Sequence, residues 1–98
     1  MAELNGQHVK IAKIKGEFVW HHHEHEDELF LVLKGRLDMH FRDRVVKVNE
    51  GECILVPRGV EHKPVGENEV HVLLFEPAGT LNTGNVRNER TVEHPGQI

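Results

Sequence analysis

Residues 21–35 of this 98-residue chain read HHHEHEDELFLVLKG, from His21 to Gly35. The apolar run from Leu29 to Leu33 is five residues long and is closed by Lys34 and Gly35. That is the length of a strand and too short for a helix. Four of the nine histidines in the chain lie just before this strand, within residues 21–25. The fold and the function must therefore account for an imidazole-rich connection that leads into an apolar strand.

Apolar and polar residues alternate through much of the rest of the chain. Leu37, Met39 and Phe41 form one such series, with His40 on the opposite side, and a period of two is typical of a strand with one buried face. Turn-forming residues interrupt the chain roughly every 8–12 residues, which is typical of an all-β sandwich or barrel. We therefore predict an all-β fold with little helix and strands near residues 8–14, 17–21, 28–34, 36–41, 44–48, 52–56, 60–65 and 69–75.

The length of the chain suits one compact domain, since independent domains seldom contain fewer than about 50 residues. We assign residues 1–98 to a single domain with a barrel core at about residues 8–75. Residues 76–98 differ from the core because Pro, Gly and Asn recur through them and their charges are mixed. We expect them to form an irregular tail that packs over the barrel or reaches a partner subunit.

Charge and cysteine content exclude several classes of protein. Twelve Lys and Arg residues against sixteen Asp and Glu residues give a net charge of −4, and the charges are interspersed, so a nucleic acid partner is not expected. The N-terminus does not resemble a leader and no apolar run has membrane-spanning length, so we expect no membrane contact and a cytoplasmic location. Cys53 is the one cysteine, which rules out an intrachain disulfide; we expect it to be a small buried apolar side chain.

The histidine cluster has the spacing of a metal site. On a strand, residues i and i+2 point the same way, so His21 and His23 can direct two imidazoles to one point inside the fold. Glu28 shares its strand face with the apolar Phe30 and Val32, and a carboxylate that faces the core needs a charge partner. A divalent metal ion would supply it.

His62 offers a further imidazole from the second half of the chain, just after the turn at residues 57–59. Three neutral imidazoles and one carboxylate around a divalent cation give a net charge of about +1 and leave coordination positions open for water or a ligand. The residues by themselves leave two other interpretations open, an engineered histidine tag and a solvated polar loop. We expect the histidines outside this set to be solvated loop residues: His8, His22, His40, His71 and His94.

Two motifs in these residues resemble those of a small single-domain cupin, a member of a superfamily of conserved barrels with many metal-dependent enzymes. The first family motif is matched here by His21-x-His23, four residues, Glu28, six residues and Gly35. The second is matched by Gly51, five residues, Pro57-x-Gly59, two residues and His62. Two positions depart from the family pattern: Gly16 lies four residues before His21 where the family has five, and Gly66 stands where the family has Asn.

The resemblance implies a cupin-type double-stranded β-helix, a jelly-roll barrel, over nearly the whole chain apart from the tail. It also implies that the metal ligands are His21, His23, Glu28 and His62, and that the metal is iron, manganese, nickel, copper or zinc. His25 is an alternative ligand, although pairing His23 with His25 leaves two residues before Glu28, which is outside the family spacing.

Three functions are compatible with such a barrel. The first is a metal-dependent enzyme, for example an oxygenase or an isomerase, that acts on a small polar molecule; no catalytic residue is assigned beyond the ligands. The second is a non-catalytic cupin that binds or senses a small ligand through its metal. The third is a metal-free β-sandwich whose histidines line a pocket. No second carboxylate is evidently paired with Glu28, and we expect the basic residues that a phosphosugar would need to be solvated: Arg36, Arg42, Arg44, Arg58 and Lys63.

Apolar residues on both faces of a strand predict a covered outer surface. In residues 28–33 the odd-numbered positions are all Leu, opposite the face that we assign to the core. A two-sheet sandwich buries only its inner faces, so outer apolar side chains need another cover. A homodimer formed through a sheet face is the economical explanation. Phe18 and Trp20, expected on the face opposite His21, would be covered in the same way or by a terminal arm of the same chain.

Overall fold

The computed structural model describes residues 2–78 of the chain. These residues form seven β-strands and no helix, which confirms the all-β prediction. The strands, in chain order, are β1 Ala2–Leu4, β2 Gln7–Glu17, β3 Glu28–Lys34, β4 Leu37–Phe41, β5 Val45–Val48, β6 Cys53–Val56 and β7 His62–Pro77. Within residues 2–78 there is accordingly no helix with the length and apolar character needed to cross a membrane. From residue 79 onward the predicted tail lies outside the described residues.

All strand pairs are antiparallel. Along one path the order is β1-β2-β7-β3-β6, and β4 pairs with both β5 and β7. The first part of β7, residues 62–65, pairs with β4, and a later part, residues 71–75, pairs with β3. β2 pairs with β7 at residues 65–66 and 70–77. One long strand therefore links the two sides of the barrel and contributes side chains to both.

Gly66 lies inside β7 at an irregularity of the sheet. The sequence predicts a break at residues 66–68 between two strands, and that prediction is wrong, because β7 continues through them. A Cβ atom at Gly66 would lie 2.7 Å from the carbonyl oxygen of Ile14 and 2.9 Å from that of Asn68. The register of the β2–β7 pair shifts at the same place, between Ile14 and Gly16. Glycine here allows a close backbone approach at a bulge and does not end the strand.

The segment predicted as a strand at residues 17–21 is mostly irregular. β2 ends just before Phe18, and of the residues that follow in this segment His21 alone forms a β-bridge, to His62. Backbone hydrogen bonds hold the segment against the start of β7. The N–H of Phe18 donates to the carbonyl oxygen of Pro64 at 3.0 Å, and His21 and His62 exchange bonds of 3.0 and 2.9 Å. The chain is therefore fixed beside β7 without a regular ladder.

The core lies on the inner faces of the strands, where the predicted alternation is confirmed. On β3, Phe30 and Val32 are buried, whereas Leu33 is 45% exposed. The buried apolar side chains are Phe30, Val32, Leu37, Met39, Phe41, Val48, Val56, Val70 and Val72. Cys53, expected to be buried, is exposed, because its register opposite Leu31 places it on the outer face of the sheet.

Candidate metal centre

Four side chains converge inside the barrel: those of His21, His23, Glu28 and His62. Glu28 begins β3, His62 begins β7, and the other two histidines lie in the connection between β2 and β3. Each residue is at most 4% exposed, and one nitrogen or oxygen atom from each lies within 4.8 Å of the others. The structure thus brings together the four residues that the sequence singled out.

The backbone determines which nitrogen of His21 and of His62 faces the cluster. Nδ1–H of His21 donates to the carbonyl oxygen of Val19 at 2.8 Å, and Nδ1–H of His62 donates to that of Val60 at 2.9 Å. Because a carbonyl oxygen only accepts, the proton of each neutral ring is on Nδ1 and Nε2 keeps its lone pair. Both imidazoles are therefore oriented by the residue two positions earlier, and Nε2 is available as a metal ligand.

The turn before β7 helps to hold His23. The carbonyl oxygen of His23 accepts a 2.7 Å bond from the N–H of Gly59, which has a φ of 80° in the left-handed region. Asp27 accepts a 2.8 Å bond from the backbone N–H of Arg58 and pairs with its guanidinium at 3.3 Å. The two motif segments are distant in sequence, and these bonds join them beside the cluster.

Polar atoms at the centre of the cluster lack hydrogen-bond partners. Nε2 of His23, Nε2 of His62 and Oε1 of Glu28 are buried and make no hydrogen bond. Oε1 of Glu28 lies 3.2 Å from Nε2 of His23 and 3.5 Å from Nε2 of His62. The Nε2 lone pair of His62 therefore faces a carboxylate oxygen. Placing two unpaired acceptors against each other in a buried site is costly unless a cation lies between them and is bound by both. Imidazole nitrogens and a carboxylate oxygen in this arrangement fit a divalent transition metal.

The electrostatics of the cluster favour the protonation states that a metal requires. Desolvation, followed by the neighbouring His62, lowers the pKa of His21 to about 4. Burial by itself would raise the pKa of Glu28, but the polar side chains of Glu76, His23 and His62 outweigh it, and the net shift is downward. At neutral pH His21 is therefore an uncharged imidazole and Glu28 is an ionised carboxylate, as metal binding requires.

Comparison with known proteins agrees with the fold. The family model described as "Cupin domain" matches residues 7–76. The chain belongs to the cupin family. A crystal structure of a cupin-2 domain containing protein from Shewanella frigidimarina is 43% identical in sequence, has a TM-score of 0.76, and covers 78% of this cupin and 74% of that chain. The crystal structure of a protein from Neisseria meningitidis is 28% identical in sequence and has a TM-score of 0.72. The match covers 78% of this cupin and 79% of that chain.

Curated relatives of this cupin have no assigned activity in their names. The uncharacterized protein YdbB of Bacillus subtilis (strain 168) is 41% identical over 66 residues, which are 64% of this cupin and 57% of that protein. The cupin spans less than two thirds of the length of the curated relatives that it matches. The family model and the Shewanella frigidimarina structure confirm the resemblance to a small cupin and the jelly-roll fold.

A second carboxyl group lies next to Glu28. Glu76 is 1% exposed, and its Oε1 forms an ion pair with Nζ of Lys10. Burial, and then the nearby Glu28, raise the pKa of Glu76. The expectation that no second carboxylate accompanies Glu28 is therefore wrong. The alternation along β7 could have found Glu76, because it shares the even-numbered inner face with Val70 and Val72, although the predicted tail begins there.

The remaining histidines lie outside the cluster. His25, the alternative ligand, has 84% of its side chain exposed to solvent. His22 is partly buried in the connection, and His94 lies outside the described residues. The prediction of solvated loop positions is wrong for three others, which are partly buried on strands: His8, His40 and His71.

The basic residues considered for a phosphosugar are engaged in ion pairs toward the surface. The guanidinium of Arg42 pairs with Glu61 at 3.3 Å and lies over the ring of Trp20, with Cζ 3.9 Å from the ring centroid. Comparable ion pairs join Arg36 with Asp38, Arg44 with Asp43, Arg58 with Asp27, and Lys63 with Glu17. Each of these cations is thus paired with its own carboxylate and they do not converge on one anion. Arg42 and the partly buried Lys63 both lie over the ring of Trp20.

A cavity of about 420 Å³ adjoins the cluster and reaches His21 and Glu28. Phe18 is part of its wall, and its ring packs edge-on against His21 with a centroid separation of 5.6 Å. The expected placement of Phe18 on the face opposite His21 is therefore wrong, because residues 18–20 do not form a strand. A small molecule in the cavity would contact two of the four cluster residues.

Proposed function

We propose that this cupin binds one divalent transition metal ion through His21, His23, Glu28 and His62 and uses it to act on a small molecule in the adjoining cavity. The set of buried Nε2 and Oε1 atoms without hydrogen-bond partners carries this proposal. Iron, manganese, nickel, copper and zinc all accept such ligands, and availability in the cell decides much of the choice. With positions left open by four protein ligands, the bound metal would polarise an oxygen atom of the substrate or bind dioxygen.

The residues of the chain supply orientation and exclude water. The carbonyl oxygens of Val19 and Val60 hold two imidazoles with Nε2 inward. Phe18 and Phe30 form part of the cavity wall, so one side of a bound molecule is shielded from solvent. The ion pair of Glu76 with Lys10 adds a fixed polar group next to Glu28. These contacts preorganise the ligand set, which is a requirement of an effective metal site.

Metal analysis of protein purified without an affinity tag tests the proposal. We expect about one equivalent of a transition metal per chain, a loss of most of it in His62→Ala, and no change in His25→Ala. The second variant is the matched control, since His25 lies at the surface of the same histidine-rich region. A metal content below about a tenth of an equivalent, not restored by added divalent ions, would contradict the proposal.

A non-catalytic role in binding or sensing a small ligand is the second candidate. Within residues 2–78, the buried titratable side chains that line the cavity are His21 and Glu28, while Lys13 and Lys15 are exposed on β2. A general acid or base separate from the ligand set is therefore missing from the described wall, which favours binding without turnover. Oxygen uptake and product formation over dicarbonyls, catechols, thiols and sugars distinguish the two roles. Turnover supports an enzyme such as an oxygenase or isomerase, and binding without turnover supports the second role.

The same proposal includes a homodimer formed through the outer face of the sheet. Two apolar rows cross four adjacent strands there: Val9, Phe75, Leu29 and Leu55 in one row, and Ile11, Leu73, Leu31 and Cys53 in the other. Ile11 is 69% exposed and Leu55 is 58% exposed, and an exposed apolar patch of this kind marks an interface. Residues 79–98 contain four aliphatic residues among twenty, so they offer little apolar surface as a cover. A second copy presents the same two rows.

A further inference from the structure

The cavity beside the cluster has an apolar wall. Its volume of about 420 Å³ is near the lower end of the roughly 300–1,000 Å³ range of small-molecule sites. Its apolar lining comes from three strands and the connection before β3: Ala12, Ile14, Phe18, Phe30, Pro64 and Leu74. Among residues 2–78, the buried polar side chains that reach it are those of His21 and Glu28. A ligand would therefore meet polar groups at the cluster and apolar groups over most of its remaining surface.

The two lysines that border the cavity on β2, Lys13 and Lys15, are exposed to solvent. Ala12 and Ile14, which precede them along the strand, are partly buried and pack against the core. Lys13 is paired across the strands with His71 and is exposed. A phosphate or a polyhydroxylated ligand needs several convergent donors to replace its hydration. The described wall does not provide such a set, so it disfavours sugars and phosphosugars.

We infer that the cavity holds a small monocarboxylate with an apolar body, such as an aromatic acid. This inference rests on the proposed metal site. Three neutral imidazoles, one carboxylate and a divalent cation carry a net charge of about +1, which a monoanionic head group neutralises. The apolar wall accepts the rest of the molecule, because burial of apolar surface is favourable. From the sequence we expect a small polar ligand, whereas the structure favours a ligand with an apolar body. The two differ because only the fold shows which side chains line the cavity.

Titration of benzoate into the full 98-residue protein loaded with Co²⁺ tests this ligand class. Gluconate carries the same carboxylate on a polyhydroxylated body, and glucose 6-phosphate represents phosphosugars. By calorimetry, we expect benzoate to bind at least about tenfold more tightly than either, and to shift the visible absorption of the Co²⁺. Equal or tighter binding of gluconate or glucose 6-phosphate would overturn the inference.

Variants of β2 show whether the probe occupies this cavity. Ala12→Phe fills the space beside Ile14 and should weaken benzoate binding at least about tenfold while metal content is unchanged. Ala12→Val, a smaller intrusion, should give a smaller loss and keeps the test usable if the larger change prevents folding. Lys47→Ala, at an exposed position on β5 that does not line the cavity, is the control and should change the affinity less than about twofold. Unchanged benzoate affinity in folded Ala12 variants would overturn the inference.

Metal analysis distinguishes failure of the metal site from failure of the ligand class alone. A protein that takes up no metal, with or without Co²⁺ added, overturns both the proposed function and the ligand class. A protein that holds about one equivalent of Co²⁺ but prefers gluconate to benzoate keeps the proposed metal site and overturns only the ligand class.

Discussion

At the scale of single residues, one local arrangement occurs twice in the cluster. His21 donates from Nδ1 to Val19, and His62 donates from Nδ1 to Val60. Each imidazole is thereby oriented by its own chain segment, and neither needs a distant residue to select the nitrogen that faces inward. The two rings lie 4.3 Å apart between centroids, and that proximity is set by the backbone bridge between the same two residues. Each imidazole is therefore oriented by nearby residues of its own segment, whereas pairing between distant segments brings the two imidazoles together.

Glu76 is the residue whose removal should show how Glu28 is positioned. In Glu76→Ala, Lys10 keeps a side chain that is 11% exposed and loses its ion-pair partner. Its ammonium would then attract the Glu28 carboxylate away from the metal, and we expect metal affinity to fall about 10–100-fold. Competition with a chromogenic chelator measures the change. Glu69→Ala on the exposed part of β7 is the matched control and should leave metal affinity as it is. An unchanged affinity in folded Glu76→Ala would show that Glu28 does not depend on this neighbour.

At the scale of elements, β7 connects the parts of the site. It begins with His62 and, 14 residues later within the same strand, reaches Glu76 beside Glu28. It pairs with β2, β3 and β4, so its continuity sets how the two halves of the barrel meet. The bulge at Gly66 is the place where this strand and β2 adjust to each other.

Substitution at Gly66 should destabilise the barrel by a steric mechanism. In Gly66→Ala, the added Cβ meets backbone oxygens at 2.7 and 2.9 Å, so the strands must shift, and we expect the free energy of unfolding to fall by about 1–3 kcal/mol. Gly16→Ala, on the paired strand, is the matched control. It has no atom within 4 Å of its added Cβ but has a φ of +79°, and conformational strain should cost about 1 kcal/mol. Urea denaturation measures both. A smaller loss at Gly66 than at Gly16 would contradict the steric explanation.

At the scale of the whole molecule, the barrel carries apolar surface on both sides of one sheet. The inner surface forms the core and the cavity wall, whereas the two outer rows described above run across β2, β7, β3 and β6. With residues 2–78 in place, Ile11 is still 69% exposed and Leu55 is still 58% exposed. Coverage by a second copy would bury both rows at once.

A charge introduced into these rows should prevent association. We expect Ile11→Glu to raise the dimer dissociation constant at least about 100-fold, because a carboxylate would be buried without a partner in an apolar interface. Light scattering coupled to size-exclusion chromatography measures the mass in solution. Val45→Glu is the matched control, since Val45 is 49% exposed on β5 and lies outside both rows. A wild-type protein that stays monomeric at high concentration would contradict the homodimer, as would an unaffected Ile11→Glu dimer.

Several features of this cupin follow from local spacing. Alternation along β3 and β4 places Phe30, Val32 and Met39 in the core, and the structure agrees. The approach of His21 and His23 does not follow from strand period, because both lie in the irregular connection before β3 and a bridge to His62 holds His21 there. The inward direction of Glu28 does follow from the alternation along β3. Such predictions succeed because the direction of a side chain depends on its own strand, with a period of two that the sequence displays directly. Metal binding by the cluster stays a prediction until metal content is measured.

By itself, then, the sequence determined the all-β fold, the inner faces of the strands and the four residues of the candidate metal centre. Only the tertiary structure decided that Glu76 with Lys10 lies beside Glu28, that Cys53 faces outward, and that the cavity wall is apolar. The physical reason is that register and barrel closure, which join strands distant in sequence, are set by packing over the whole molecule. The strand period predicts the direction in which a side chain points, and closure of the barrel determines which other side chains it contacts.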